Sequence, residues 1–147
     1  MALMPPEEAL RRVLTAESAV TDLVSARIYP GQAAYGATHP LITYQRDESE
    51  YCEVIDGLAG DSLARITVRL LIEGTGYASA KAVAIAVRDT LSAYRGTVEG
   101  GADALAVRRI RHMDEFDEFD PPSDGRTDGL HRVVQEYDIW FFNSAGD

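Results

Sequence analysis

"SLARITVRLLIEGTGYASAKAVAIAVRDTLSAYRG", Ser62 to Gly96, is the stretch on which the fold turns. Its first part alternates. Ala64, Ile66, Val68, Leu70 and Ile72 fall on one side, and Leu63, Arg65, Thr67, Arg69, Leu71 and Glu73 on the other. A period of two held over this length predicts a strand with one buried face. The period then changes. Tyr77, Ala80, Ala84, Val87, Leu91 and Tyr94 step by three and four residues, which predicts an amphipathic helix. Its many alanines allow a close approach to a sheet. Thr75 is placed to cap its start and Gly96 to stop it.

On the C-terminal side, "GTVEGGADALAVRRIRH" predicts a short strand, a Glu99–Gly100–Gly101 turn and a longer strand. "LHRVVQEYDIWFF" alternates again. His131, Val133, Gln135, Tyr137, Ile139 and Phe141 share one face, and Arg132, Val134, Glu136, Asp138, Trp140 and Phe142 the other. On the N-terminal side, "PPEEALRRVL" and "ESAVTDLV" predict two short helices or one broken near Thr15, with proline and glutamates in the first turn. "RIYPGQAAYGATHP" reads as a loop anchored by Ile28, Tyr29 and Tyr35, and "LITYQR" as a strand. Strands that are half polar on one face predict an α+β fold. The expectation is a single domain over residues 1–147, with an antiparallel or mixed β-sheet and helices packed mainly on one face.

Composition narrows the function. The 24 acidic residues against 14 basic give a formal charge of −10, which disfavours holding phosphate backbones on the bulk surface. The single cysteine, Cys52, rules out an intrachain disulfide, and its acidic neighbours in "SEYCEVID" disfavour a reactive thiolate. "MALMPPEEALRR" lacks the pattern of a signal peptide, and no apolar run reaches the ~18–20 residues that span a bilayer. The expectation is a soluble chain made in the cytoplasm.

Two acidic segments, at about 47–61 and 112–129, read as loops. The second, "HMDEFDEFDPPSDGRTDG", holds seven carboxylates. Placing Gly125 at the sixth position of an EF-hand loop puts Pro122 at a ligand position and His131 where a bidentate glutamate belongs, so calcium is disfavoured. His112 and His131 with Asp114 or Asp128 form a metal site only if a particular strand register brings them together; ordinary strand-end histidines are the favoured reading. Nothing separates the environments of Asp114, Glu115, Asp117, Glu118 and Asp120 into an acid and a base, as glycoside hydrolysis requires. "GTGYAS" lacks the third glycine of a dinucleotide fingerprint and follows a half-polar strand. No nucleophile elbow or triad pattern is present, and the basic residues are dispersed. No cofactor is expected.

The second face of the sheet is the more informative surface. Leu63, Leu71, Val134, Trp140 and Phe142 all lie opposite the expected core. Arg65 and Arg69 stand against Glu136 and Asp138, where cross-strand or cross-subunit ion pairs are expected. Arg65, Arg69, Leu71, Val134, Trp140 and Phe142, with Phe116 and Phe119 from the acidic segment, are the candidate subunit or partner interface.

Several segments taken in order, "PEEALRRVLTAESAVTDLVSARIYP", "HPLITYQR", "ARITVRLLIEGTGYASAKAVAIAVRDTLSAYRGT" and "LHRVVQEYDIWF", resemble the tail-completion, or tail-terminator, proteins of long-tailed phages and gene-transfer particles. The likeness spans nearly the whole chain, and the acidic segments match it least. The resemblance implies a structural, non-enzymatic virion protein. Such a protein forms a hexameric ring at the head-proximal end of the tail tube, stops tube growth and joins the tail to the head's connector or stopper. DNA passes through without specific binding, which makes Asp114, Glu115, Asp117, Glu118 and Asp120 the candidate lumen-lining or docking carboxylates, and no membrane is involved. Against it stand two alternatives: a small cytosolic homo-oligomeric interaction domain, and a metal-dependent hydrolase built on His112 and His131.

Overall fold

The computed structural model describes residues 2–33, 36–50, 63–122 and 129–142. The elements run β1 (Ala2–Leu3), α1 (Pro6–Thr15), α2 (Ser18–Val24), β2 (Ile28–Pro30), β3 (Leu41–Glu50), β4 (Leu63–Gly74), α3 (Tyr77–Ala93), β5 (Gly96–Glu99), β6 (Asp103–Asp120) and β7 (Leu130–Phe142). The seven strands form one sheet in the order β1-β6-β7-β4-β3-β2, with β5 also paired to β6. The β3–β4, β4–β7, β6–β7 and β5–β6 pairs are antiparallel. The short end strands β1 and β2 lie parallel to their neighbours, so the sheet is mixed.

The alternating residues of β4 fall as their period requires. Ala64, Ile66, Val68, Leu70 and Ile72 are buried, in one cluster with Val133, Tyr137, Ile139 and Phe141 of β7. The same cluster takes in Ala80, Val83, Ala84, Val87 and Leu91 of α3, Leu10, Val13 and Leu14 of α1, and Val20 and Val24 of α2. All three helices therefore cover one face, and burial of this size dominates the folding free energy.

Helix ends follow local chemistry, with two departures from expectation. At α1, Pro6 occupies the first turn, where its missing N–H has no partner to lose. Arg11 Nη2 reaches Glu8 Oε1 at 2.6 Å, and that hydrogen bond holds the Glu8 carboxyl below the ordinary glutamate range. At α3 the cap position falls on Gly76 rather than Thr75, with no capping side chain; Ser79 Oγ donates back to the Gly76 carbonyl at 3.0 Å. The turn is too tight for a larger residue at Gly74, where a Cβ would stand 2.8 Å from Ser79 Oγ and 3.2 Å from the Ala80 nitrogen. The helix stops at Ala93, and Gly96, at φ 135°, opens β5 instead of ending the helix.

The largest correction concerns the acidic segment expected as a loop from His112. Its first part is strand: β6 continues to Asp120, and Asp114–Asp120 pair residue by residue with Leu130–Glu136. β7 needs a hydrogen-bonding partner along its whole length, and that demand outweighs the weak strand propensity of aspartate and glutamate. Likewise Asp47–Glu50 belong to β3, while residues 51–61 of the other expected loop lie outside the described residues. Ile28–Pro30, expected as loop, add a short strand to the sheet edge, and Tyr35 lies outside the described residues.

Candidate assembly surface

The face of the sheet away from the helices is organised by register. Leu71 of β4, Val134 of β7 and Phe116 of β6 form one row across three strands, and Arg65, Trp140 and Arg109 form another. Val134 is already buried within the chain, Leu71, Trp140 and Phe142 are half-buried, and Phe116 is exposed. Between and beside these rows run ion pairs made inside one chain. Arg65 Nη1 donates to Asp138 Oδ2 at 3.1 Å, and Thr67 Oγ1 donates to Asp138 Oδ1 at 2.8 Å. Arg69 Nη2 lies 3.0 Å from Glu136 Oε1 and 3.3 Å from Asp47 Oδ2. Arg132 Nη1 lies 3.3 Å from Glu118 Oε2, and its Nε donates to Glu73 Oε1 at 3.2 Å. Of the two placements open for Arg65 and Arg69, the structure shows the cross-strand one.

The acidic half of β6 divides between the two faces. Asp114, Phe116 and Glu118 pair with Glu136, Val134 and Arg132 on the face away from the helices, whereas Glu115, Asp117 and Phe119 pair with Gln135, Val133 and His131 beneath α3. Phe116 and Phe119 therefore do not form a single patch. Asp117 Oδ1 holds Lys81 Nζ at 2.6 Å, and the Phe119 ring lies 4.8 Å from that of His131. Glu115 Oε1 accepts a 2.7 Å bond from Gln135 Nε2, which also donates to the Ala84 carbonyl of α3 at 3.0 Å. The Tyr137 hydroxyl completes this chain by donating to Gln135 Oε1 at 2.9 Å. Burial pushes the Tyr137 phenol far up, so it stays a protonated donor. This buried tie between sheet and helix carried no more signal in the sequence than an amide on the apolar face of β7.

Register also separates the two histidines. His112 stands opposite Tyr137 and His131 opposite Phe119, so they are seven residues apart along the hairpin, roughly 20 Å. Among the described residues no group of three or more metal-ligating side chains converges.

The basic residues are less dispersed than the sequence suggests. Arg95, at the end of α3, meets Arg108, Arg109 and Arg111 of β6 around one groove of about 680 Å³. Tyr94, Trp140 and Leu63 line it too. Arg95 comes from the link between α3 and β5 and the other three from β6, and only the fold brings them together.

A family model described as tail completion protein gp17 matches residues 8–141, nearly the whole chain. The chain belongs to the tail completion protein family. It is accordingly a structural protein of the phage tail, associated with the virion, as the resemblance in the sequence implies. The fold of this tail completion protein is similar to a chain in the virion of a native gene transfer agent particle. That match has a TM-score of 0.55 at 16% identity and covers 93% of this chain and 94% of that one. No curated protein matches it in sequence.

Proposed function

We propose that this tail completion protein assembles as a ring, a hexamer in the reading above, at the head-proximal end of the tail tube. There it ends tube growth and joins the tail to the head connector or stopper. The family match over residues 8–141 carries the reading. Its partners are other copies of itself, the tail tube protein and the connector, in the neck of a virion assembled in the host bacterial cytoplasm. It uses no cofactor and breaks no bond.

The surface chemistry supports a conduit. With a net charge of −10, the protein repels DNA phosphates rather than holding them, so a channel lined by it lets DNA slide. Asp114, Asp117 and Glu118 are exposed on β6, well placed to line a lumen or meet an adjoining ring. The ladder through Arg65, Arg69 and Arg132 braces the sheet behind them. Half-buried Leu71, Trp140 and Phe142 with exposed Phe116 on one face, and exposed Phe119 on the other, are the apolar side chains offered to neighbouring subunits.

Neutralising the edge tests this assignment. Particles made with Asp114→Asn, Asp117→Asn and Asp120→Asn together should lose infectivity by about tenfold or more through faulty joining or retained DNA. Asparagine keeps the shape and most hydrogen bonds, so the purified variant should melt like the parent protein. Normal infectivity of the triple variant contradicts both the lumen and the docking roles.

A further inference from the structure

The outer edge of β6 offers a surface whose use goes beyond ring formation and does not depend on it. Val107 pairs with Gly96 of β5 on one side and with Phe141 of β7 on the other. β5 starts at Gly96, so from Arg108 to Asp120 no described strand pairs the outer edge. The amide of Glu115 is satisfied instead by its neighbour's side chain, Asp114 Oδ1, at 2.9 Å. An open edge of this length is a template for another strand.

Its charge is distributed unevenly from end to end. The near end holds Arg108, Arg109 and Arg111, which with Arg95 line the groove beside Trp140 and Tyr94. None of these four arginines makes an ion pair with a described residue, whereas Arg65, Arg69 and Arg132 all do. The far end holds Asp114, Glu115, Asp117, Glu118 and Asp120, with Met113, Phe116 and Phe119 exposed among them. A parallel, in-register match with a second copy sets arginine on arginine and carboxylate on carboxylate. An antiparallel match about a two-fold axis near Met113 and Asp114 sets the Arg108–Arg111 end of each copy against the Phe116–Asp120 end of the other. Strand pairing, ion pairing and arginine–aromatic contact then agree in a single register.

We propose that two copies of this protein pair antiparallel along β6, each arginine groove receiving the acidic end of the partner's strand. The pairing is isologous and closes at two. It belongs to the free protein, keeping the edge covered until a copy joins the tube.

Charge reversal in two complementary variants tests it. One carries Arg109→Glu and Arg111→Glu, the other Glu118→Arg and Asp120→Arg, all outside the core and on the same face of β6. Sedimentation equilibrium of the full chain should show a wild-type dimer that weakens with added salt. Each variant alone should self-associate at least about tenfold more weakly. An equimolar mixture should recover a one-to-one dimer, because opposite charges then face each other at both ends. That recovery also shows that neither variant has merely misfolded. A wild-type monomer at micromolar concentration overturns the proposal, as does undiminished dimerisation of either variant. Assemblies larger than two in the mixture place the contact head-to-tail and overturn the two-fold. Duplex DNA bound by the wild type and lost with Arg109→Glu and Arg111→Glu, with dimerisation intact, assigns the groove to phosphate instead. None of these outcomes bears on ring formation at the tube.

Discussion

Tyr137→Ala lowers the unfolding free energy by about 3–5 kcal/mol, and chemical denaturation with a fluorescence or circular dichroism readout measures the loss. Tyr137 is among the largest fully buried side chains, at 0% exposure, in the cluster that joins β4, β7 and α3. Truncation leaves a cavity of ring size, and a sheet held on both sides by β4 and β6 collapses poorly into it. A second loss follows from the hydroxyl. It donates to Gln135 Oε1, and Gln135 Nε2 in turn holds Ala84 of α3 and Glu115 of β6. Tyr137→Phe separates the two effects, keeping the ring and leaving one buried amide oxygen without its donor at a cost of about 1–2 kcal/mol. If the two variants are equally destabilised, the packing account of this residue is wrong.

Asp138→Ala is the second large effect, at about 2–3 kcal/mol. The Asp138 carboxylate is buried on the face away from the helices, where it accepts from Thr67 Oγ1 at 2.8 Å and Arg65 Nη1 at 3.1 Å. Removing it leaves a buried hydroxyl without its acceptor and takes away the Arg65 contact to this carboxylate, and both cost free energy. Arg65 keeps some access to solvent and lies 5.7 Å from the Trp140 ring centroid, which limits the loss below that of a fully buried pair. Asp138→Asn keeps an oxygen for Thr67 and should lose about half as much. Equal stability of Asp138→Ala and the parent protein shows that the ladder adds nothing to the fold.

The same residues show what a sequence can reveal. Period two in Leu63–Gly74 and Leu130–Phe142 picked out the apolar residues of β4 and β7 that face the helices, because a half-buried strand has only two faces to fill, but it left Val134, buried on the opposite face, outside the core. The pairing of Arg65 and Arg69 with Asp138 and Glu136 follows once those strands are neighbours. β6 hid its far end. Met113, Phe116 and Phe119 step by three, not two, and the bulge between His112 and Asp114 shifts the register where the acidic run starts. Its partner held the missing clue, since β7 is 13 residues long and needs a neighbour of similar reach. The arginine groove was illegible for a different reason. Arg95 and Arg108 meet only after β5 turns back onto β6, and no periodicity records such a return.

Under the proposed function, the chemistry of this protein lies in contacts between chains. The second face is already ion-paired within each copy, so assembly through it, as proposed, would add apolar contact without burying new unpaired charge. In the same proposal the acidic strand edge faces whatever passes or docks.

Negative-stain electron microscopy of the purified protein mixed with growing tail tubes tests the central claim most directly. The account predicts a ring at one end of each tube only, with tubes that stop lengthening once it is in place. Tubes that continue to grow with both ends bare, or protein bound along their sides, contradict it.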